Sequence, residues 1–139
     1  MIPLGNTLCT RLATVPGVEI TTLDPQPRSY GMGALATGAS NILFISGQVP
    51  EDETGHVPET FDDQCRLAWR NVVGVLNTAH LGLENLTKVT VFLSDRQYRE
   101  ANARIRHEVL GGHSPALTVI ITGIYDEKWL LEIEAVAVS

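Results

Sequence analysis

Asn41-Ile42-Leu43-Phe44-Ile45-Ser46-Gly47-Gln48-Val49 carries four apolar residues in succession, Ile42 to Ile45, and the fold turns on how they are covered. A strand with one face in water alternates apolar and polar side chains, so this run predicts a strand over residues 41–49 in a sheet covered on both faces. Before it, Thr37-Gly38-Ala39-Ser40 reads as a turn, and Tyr30 to Ala36 as the strand that would form a hairpin with it. Further back, Val18 to Leu23 is rich in Ile, Val and Thr and reads as a strand ended by Pro25 and Pro27. Residues 1–17 are punctuated by Pro and Gly without a sustained period. They read as an arm, leaving residues 18–139 as one domain.

Downstream, Thr60 followed by Asp63 resembles a capping box. From there Phe61, Cys65, Ala68, Val72, Val75, Leu76 and Ala79 recur at spacings of three and four, which predicts a helix over 61–81 with Gly82 at its end. Leu86 to Leu93 alternates, with Val89, Val91 and Leu93 on one face and Thr90 and Phe92 on the other: a strand. Ser94-Asp95 offers an N-cap to a second helix whose stripe is Tyr98, Ala101, Ile105 and Val109 and which stops at Gly111-Gly112. Leu117 to Thr122 and Leu130 to Val138 complete the strands. The order of elements gives an α+β fold, a mixed sheet with two helices packed on one face. Two helices cover one face only, so the other needs a layer that a single chain of this length lacks. Oligomerisation is the expected cover.

At 139 residues the chain is about one domain long, and 44% hydrophobic with 19% charged residues is globular in character. No apolar run approaches the roughly 20 residues that span a bilayer, and the N-terminus does not read as a secretory signal. A cytoplasmic protein with no membrane partner is the expectation. Ten Lys and Arg against 16 Asp and Glu give a net charge of -6, which repels phosphate backbones and argues against nucleic acid as a partner. Cys9 and Cys65 are far apart and in no Cys-x-x-Cys pair, so both are expected as free thiols. His56, His80, His107 and His113 are too scattered to suggest a metal site.

Ile45-Ser46-Gly47-Gln48-Val49-Pro50, Gly55, Gln64, Asn71, Val89-Thr90-Val91-Phe92-Leu93-Ser94-Asp95, Asn102, Pro115-Ala116 and Glu132-Ile133-Glu134-Ala135 form, in order and spacing, a further pattern. Across about residues 28–138 it resembles the Rid family, the YjgF-like reactive-intermediate deaminases also described as L-PSP-type. The resemblance implies a chorismate-mutase-like fold, a homotrimer with a barrel-like core, and three clefts each lined by two neighbouring subunits. It implies hydrolysis of an imine or enamine made from an amino acid to a 2-keto acid and ammonia, without metal or organic cofactor.

Glu132 falls where the family has a glutamate that helps activate water, a general-base task suited to a partly desolvated carboxylate. Tyr30, Ser46, Gly47 and Asn102 fall on positions lining the cleft. The family arginine that grips a substrate carboxylate through two parallel hydrogen bonds is replaced, because its Pro-Ala-Arg context reads Pro115-Ala116-Leu117 here. Leucine offers neither donor nor charge, which makes this an arginine-lacking member and favours a substrate without a free 2-carboxylate. The alternative is a non-catalytic trimer that binds a small ligand on the same scaffold. Two residues outside the pattern are candidates on chemistry alone. Arg28, two residues before Tyr30, is a possible replacement cation, and His113 is an imidazole close in sequence to Leu117. Strand alternation puts Leu130, Glu132, Glu134 and Val136 on one face, so the acids stand among apolar neighbours.

Overall fold

The computed structural model describes residues 9–15 and 17–139, with side chains from residue 17 onward. Residues 1–8 and 16 of the expected arm, and the Cys9 thiol, lie outside the described residues. Seven strands, β1 (Cys9–Val15), β2 (Val18–Gln26), β3 (Tyr30–Thr37), β4 (Ile42–Gln48), β5 (Leu86–Leu93), β6 (Ala116–Ile121) and β7 (Leu131–Val138), join α1 (Phe61–Thr78) and α2 (Arg99–Leu110). They form one sheet in the order β1-β2-β3-β6-β5-β7-β4. The pairings of β6 with β3 and β5 are parallel and the rest antiparallel. The fold is α+β.

Three expectations about the N-terminal third are corrected. Residues 9–15 form a strand on β2 rather than belonging to an arm. β2 continues through Pro25, which sits opposite Gly31. The pairing with β1 ends at Leu23, so beyond it β2 has one neighbour and tolerates a residue without an N–H. The hairpin is β2–β3, turning through Pro27, Arg28 and Ser29, not β3–β4. Instead β4 crosses to the far edge and pairs with β7, Ile42 opposite Val138 and Ile45 opposite Ala135.

Local chemistry explains the helices. Asp63 N–H donates to Thr60 Oγ1 (3.2 Å), while the Thr60 hydroxyl donates to the Asp63 carboxylate (3.0 Å) and closes the first turn of α1. The helix ends at Thr78, three residues short of Leu81. His80 adopts the left-handed conformation (φ 59°) in place of Gly82, with Leu81 N–H bonded to Leu76 C=O (2.9 Å) and His80 N–H to Asn77 C=O (3.0 Å). That pairing is the Schellman motif. Asp95 accepts from Gln97 N–H (2.8 Å) and starts a 3-10 turn that runs into α2.

Both helices lie over one sheet face, where Trp69, Val72, Leu76, Val89, Val91, Ile105, Leu131 and Ile133 are buried in one cluster. Leu130 precedes β7, leaves its alternation, and packs against this cluster. Two side-chain amides, buried Gln64 and half-buried Asn71, tie loops to α1. Gln64 donates to the carbonyls of Pro58 (2.8 Å) and Lys128 (3.0 Å) and accepts from Leu130 N–H (2.8 Å), and Asn71 donates to those of Val49 (2.8 Å) and Glu51 (3.1 Å). The opposite face is open within one chain: Phe44 is 74% exposed and Ile42 60%. The apolar run in β4 thus divides, with Ile45 buried beneath the helices and Ile42 and Phe44 outside. Among the described residues no helix is long and apolar enough to cross a membrane.

Candidate functional site

Glu132 stands on β7, on the face turned away from the helices, opposite Phe92 of β5. The β4–β7 register slips between Ile45 and Gln48, so Ser46 and Gly47 form a bulge beside it. Bulges re-aim strands at functional sites, and this one brings the Gly47 backbone against the glutamate. A Cβ placed on Gly47 would fall on Glu132 Oε1 and 2.7 Å from its Cδ, so only glycine leaves room for the carboxylate where it is. Gly47 also lines a groove of about 770 Å³ with Gln48, Asn71 and Trp129.

Tyr30, Asn102 and Leu117 meet elsewhere, around a recess of about 260 Å³ between β3, β6 and α2. Leu117 is paired in register with Val89, and Val89 with Ala135, on the helix side of the sheet. One chain therefore splits the candidate residues into two groups on opposite faces. The first is Glu132, Ser46 and Gly47; the second is Tyr30, Asn102 and Leu117.

Arg28 is not available as a free cation. Its Nη1 lies 2.7 Å from Glu100 Oε2, and this partner holds the Glu100 carboxyl below its ordinary range. Arg28 and Ser29 are both left-handed (φ 64° and 62°), a strained tight turn for residues other than glycine. The turn is fastened to α2: Ser29 Oγ donates to Gly111 C=O and sits 2.7 Å from His107 Nδ1. His113 belongs to neither group. Its Nε2 lies 2.7 Å from Leu86 C=O, which makes that nitrogen the protonated one, and burial lowers its pKa. Burial pushes the Cys65 thiol up to about 12, which makes it inert as a nucleophile. Among the described residues no group of three or more His, Cys, Asp or Glu is placed to hold a metal ion.

Sequence reasoning missed Arg106. It is 4% exposed, it lines the recess of Tyr30 and Leu117, and its guanidinium carbon lies 5.8 Å from the centre of the Tyr30 ring. In the alternation Arg104-Ile105-Arg106-His107-Glu108 it looks like one more solvated charge. Its spacing of four from Asn102, which puts the two on one helix face, was the signal that could have found it.

The family model for endoribonuclease L-PSP matches residues 27–139 of this chain. The chain belongs to this family, the Rid family. It is 31% identical over 121 residues to the RutC family protein PH0854 of Pyrococcus horikoshii, covering 86% of this chain and 96% of that one. It is 28% identical over 116 residues to TdcF of Escherichia coli K12, named as a proposed reactive intermediate deaminase, covering 81% and 90% of the two chains. The crystal structure of E. coli TdcF with bound serine superposes with a TM-score of 0.66 at 26% identity, covering 83% of this chain and 96% of that one. The Rid family protein YyfB of Yersinia pestis, of unknown function, superposes at 0.77 with 17% identity, covering 86% and 98%, which shows the common fold.

Proposed function

We propose that this Rid protein hydrolyses a small imine or enamine in a cleft completed by a second copy of the chain, with Glu132 activating the water and no cofactor taking part. Family membership supports a deaminase or endoribonuclease-like function in general terms. The deaminase is favoured, since a net charge of -6 opposes the approach of RNA. The observation that carries the proposal is the pairing of Glu132 with Gly47. A carboxylate that shares its face with the exposed Phe44, with a bulge and a glycine making room for it, is placed for a reacting water rather than for packing.

The open face supplies the rest. Phe44, Ile42 and Ile120 are exposed on the side that bears Glu132, and covering them with neighbouring copies gives a homotrimer whose clefts join the two groups of candidate residues. Leu117 withdraws the family's means of holding a 2-carboxylate. The expectation of a carboxylate-free substrate rests on that residue alone, and it requires that the recess contain no other cation. A non-catalytic ligand-binding trimer is the second reading, favoured by Leu117.

The test is Glu132→Gln, which keeps size and hydrogen-bonding shape but removes the base. With a small carboxylate-free imine and, separately, 2-aminoacrylate generated in situ, and release of ammonia followed, the variant should lose about 100-fold to 10,000-fold in rate on whichever substrate the parent turns over, with its assembly unchanged. Glu134→Gln is the control, from the same strand face. Near-full turnover by Glu132→Gln would remove the water-activating role. Equal ligand binding by both forms with no turnover by either would leave the binding trimer.

A further inference from the structure

We infer that Arg106 takes over the anion-binding task at Leu117, so that the ligand held in the Tyr30 recess carries a carboxylate. The inference rests on the small-molecule cleft proposed above and narrows what enters it.

A buried guanidinium needs compensation, and here that compensation is incomplete. Arg106 Nε and Nη2 both donate to the Arg28 carbonyl, at 3.3 and 3.2 Å. A guanidinium has five N–H groups, so three are left with no described partner. No ion pair to Arg106 occurs among the described residues, and no carboxylate is among the groups that perturb it. Burial depresses its pKa, and of its neighbours Tyr30 and Cys65 favour the charged form while Arg28 opposes it. Buried charges are almost always paired, so a cation beside a cavity with only a carbonyl and a ring for company is short of an anion.

The recess agrees with this. Its charged lining residues are Arg99, Arg106 and Glu100, and Glu100 is already engaged by Arg28, so the balance is positive. The carbonyl of the strained Arg28 turn fixes one edge of the guanidinium, while the Tyr30 ring lies near it. A planar fork oriented in advance fits a planar carboxylate through two parallel bonds. Leu117 on the recess wall supplies an apolar contact where the family supplies the charge.

The experiment compares pyruvate, its neutral isostere pyruvamide, and inorganic phosphate by calorimetric titration and by the side-chain 15N resonances of Arg106. The unsubstituted protein should bind pyruvate, shift those resonances, and discriminate against both pyruvamide and phosphate. Arg106→Leu should weaken pyruvate binding roughly 10-fold to 100-fold, Arg106→Lys should fall between, and Leu117→Arg added to Arg106→Leu should restore it. Equal binding of pyruvate and pyruvamide overturns the inference, as does equal pyruvate binding by a folded Arg106→Leu. Should that variant not fold, the resonances of the unsubstituted protein decide. If Arg106 instead pairs with a carboxylate of a second copy, pyruvate leaves its resonances unmoved and Arg106→Leu dissociates the assembly, which also overturns it. Pyruvate held at Arg106 by a chain that turns over no imine supports the inference while the hydrolase proposal alone fails.

Discussion

The two faces of the central sheet are built from the same strands and obey different rules. On the helix side of β7, Leu131, Ile133, Ala135 and Ala137 are 0–4% exposed and meet side chains of α1 and α2 or their neighbours. One residue out of step, Glu132, Glu134 and Val136 share the other face with Phe44 and Phe92, where no element of the same chain lies over Phe44. The first face is completed within one chain and determines stability. The second leaves apolar area uncovered and sets two carboxylates, Glu132 and Glu134, beside it, and exposed apolar area of this kind is what interaction surfaces present.

Ile133 and Glu132 separate the two roles most sharply, being adjacent in sequence and opposite in direction. Ile133→Ala should destabilise the protein by about 2–5 kcal/mol in chemical denaturation, because it opens a cavity beneath the helices. Glu132→Gln should stay within about 0.5 kcal/mol of the parent. Similar losses for both would erase the distinction between the faces.

Gly47→Ala sharpens it further. The new methyl must displace the Glu132 carboxylate, the end of a flexible side chain, so the stability cost should stay within about 0.5 kcal/mol. Its effect on turnover should approach that of Glu132→Gln. A variant that loses stability but keeps turnover would mean that Gly47 serves packing alone.

His113 belongs to the stability side, and its signature is a small dependence on pH. Burial lowers its pKa, so the folded protein prefers the neutral ring. That contribution is complete above the ordinary imidazole value near 6.5 and is lost as pH falls from there through the lower folded value, where the unfolded chain takes up the proton first. His113→Gln can still donate to Leu86 C=O and cannot titrate, so its denaturation midpoint should vary less over that window. An unchanged pH profile would place the titration elsewhere.

What the sequence disclosed follows the same division. α1, α2, β5 and β7 were legible because their signals are local: a cap, a three-and-four stripe, strict alternation. The partner of β4 was not, since Thr37-Gly38-Ala39-Ser40 has hairpin chemistry while the strand it leads into pairs with β7, 96 positions away between Ile42 and Val138. The Rid pattern assigned Glu132, Gly47, Tyr30, Asn102 and Leu117 to one cleft. It could not show that these groups lie on opposite faces of one chain, which depends on the parity of β6 and β7 in the sheet. Arg106 escaped because a charge inside a charged helix reads as solvated until burial is known.

The claim on which everything else depends is that further copies of the chain cover the Glu132 face. Light scattering at micromolar concentration tests it directly. The prediction is a mass three times the 15.1 kDa of one chain, falling toward 15.1 kDa when Phe44→Asp puts a charge on the open face while the helical signal is kept. A parent protein of 15.1 kDa in solution would contradict it.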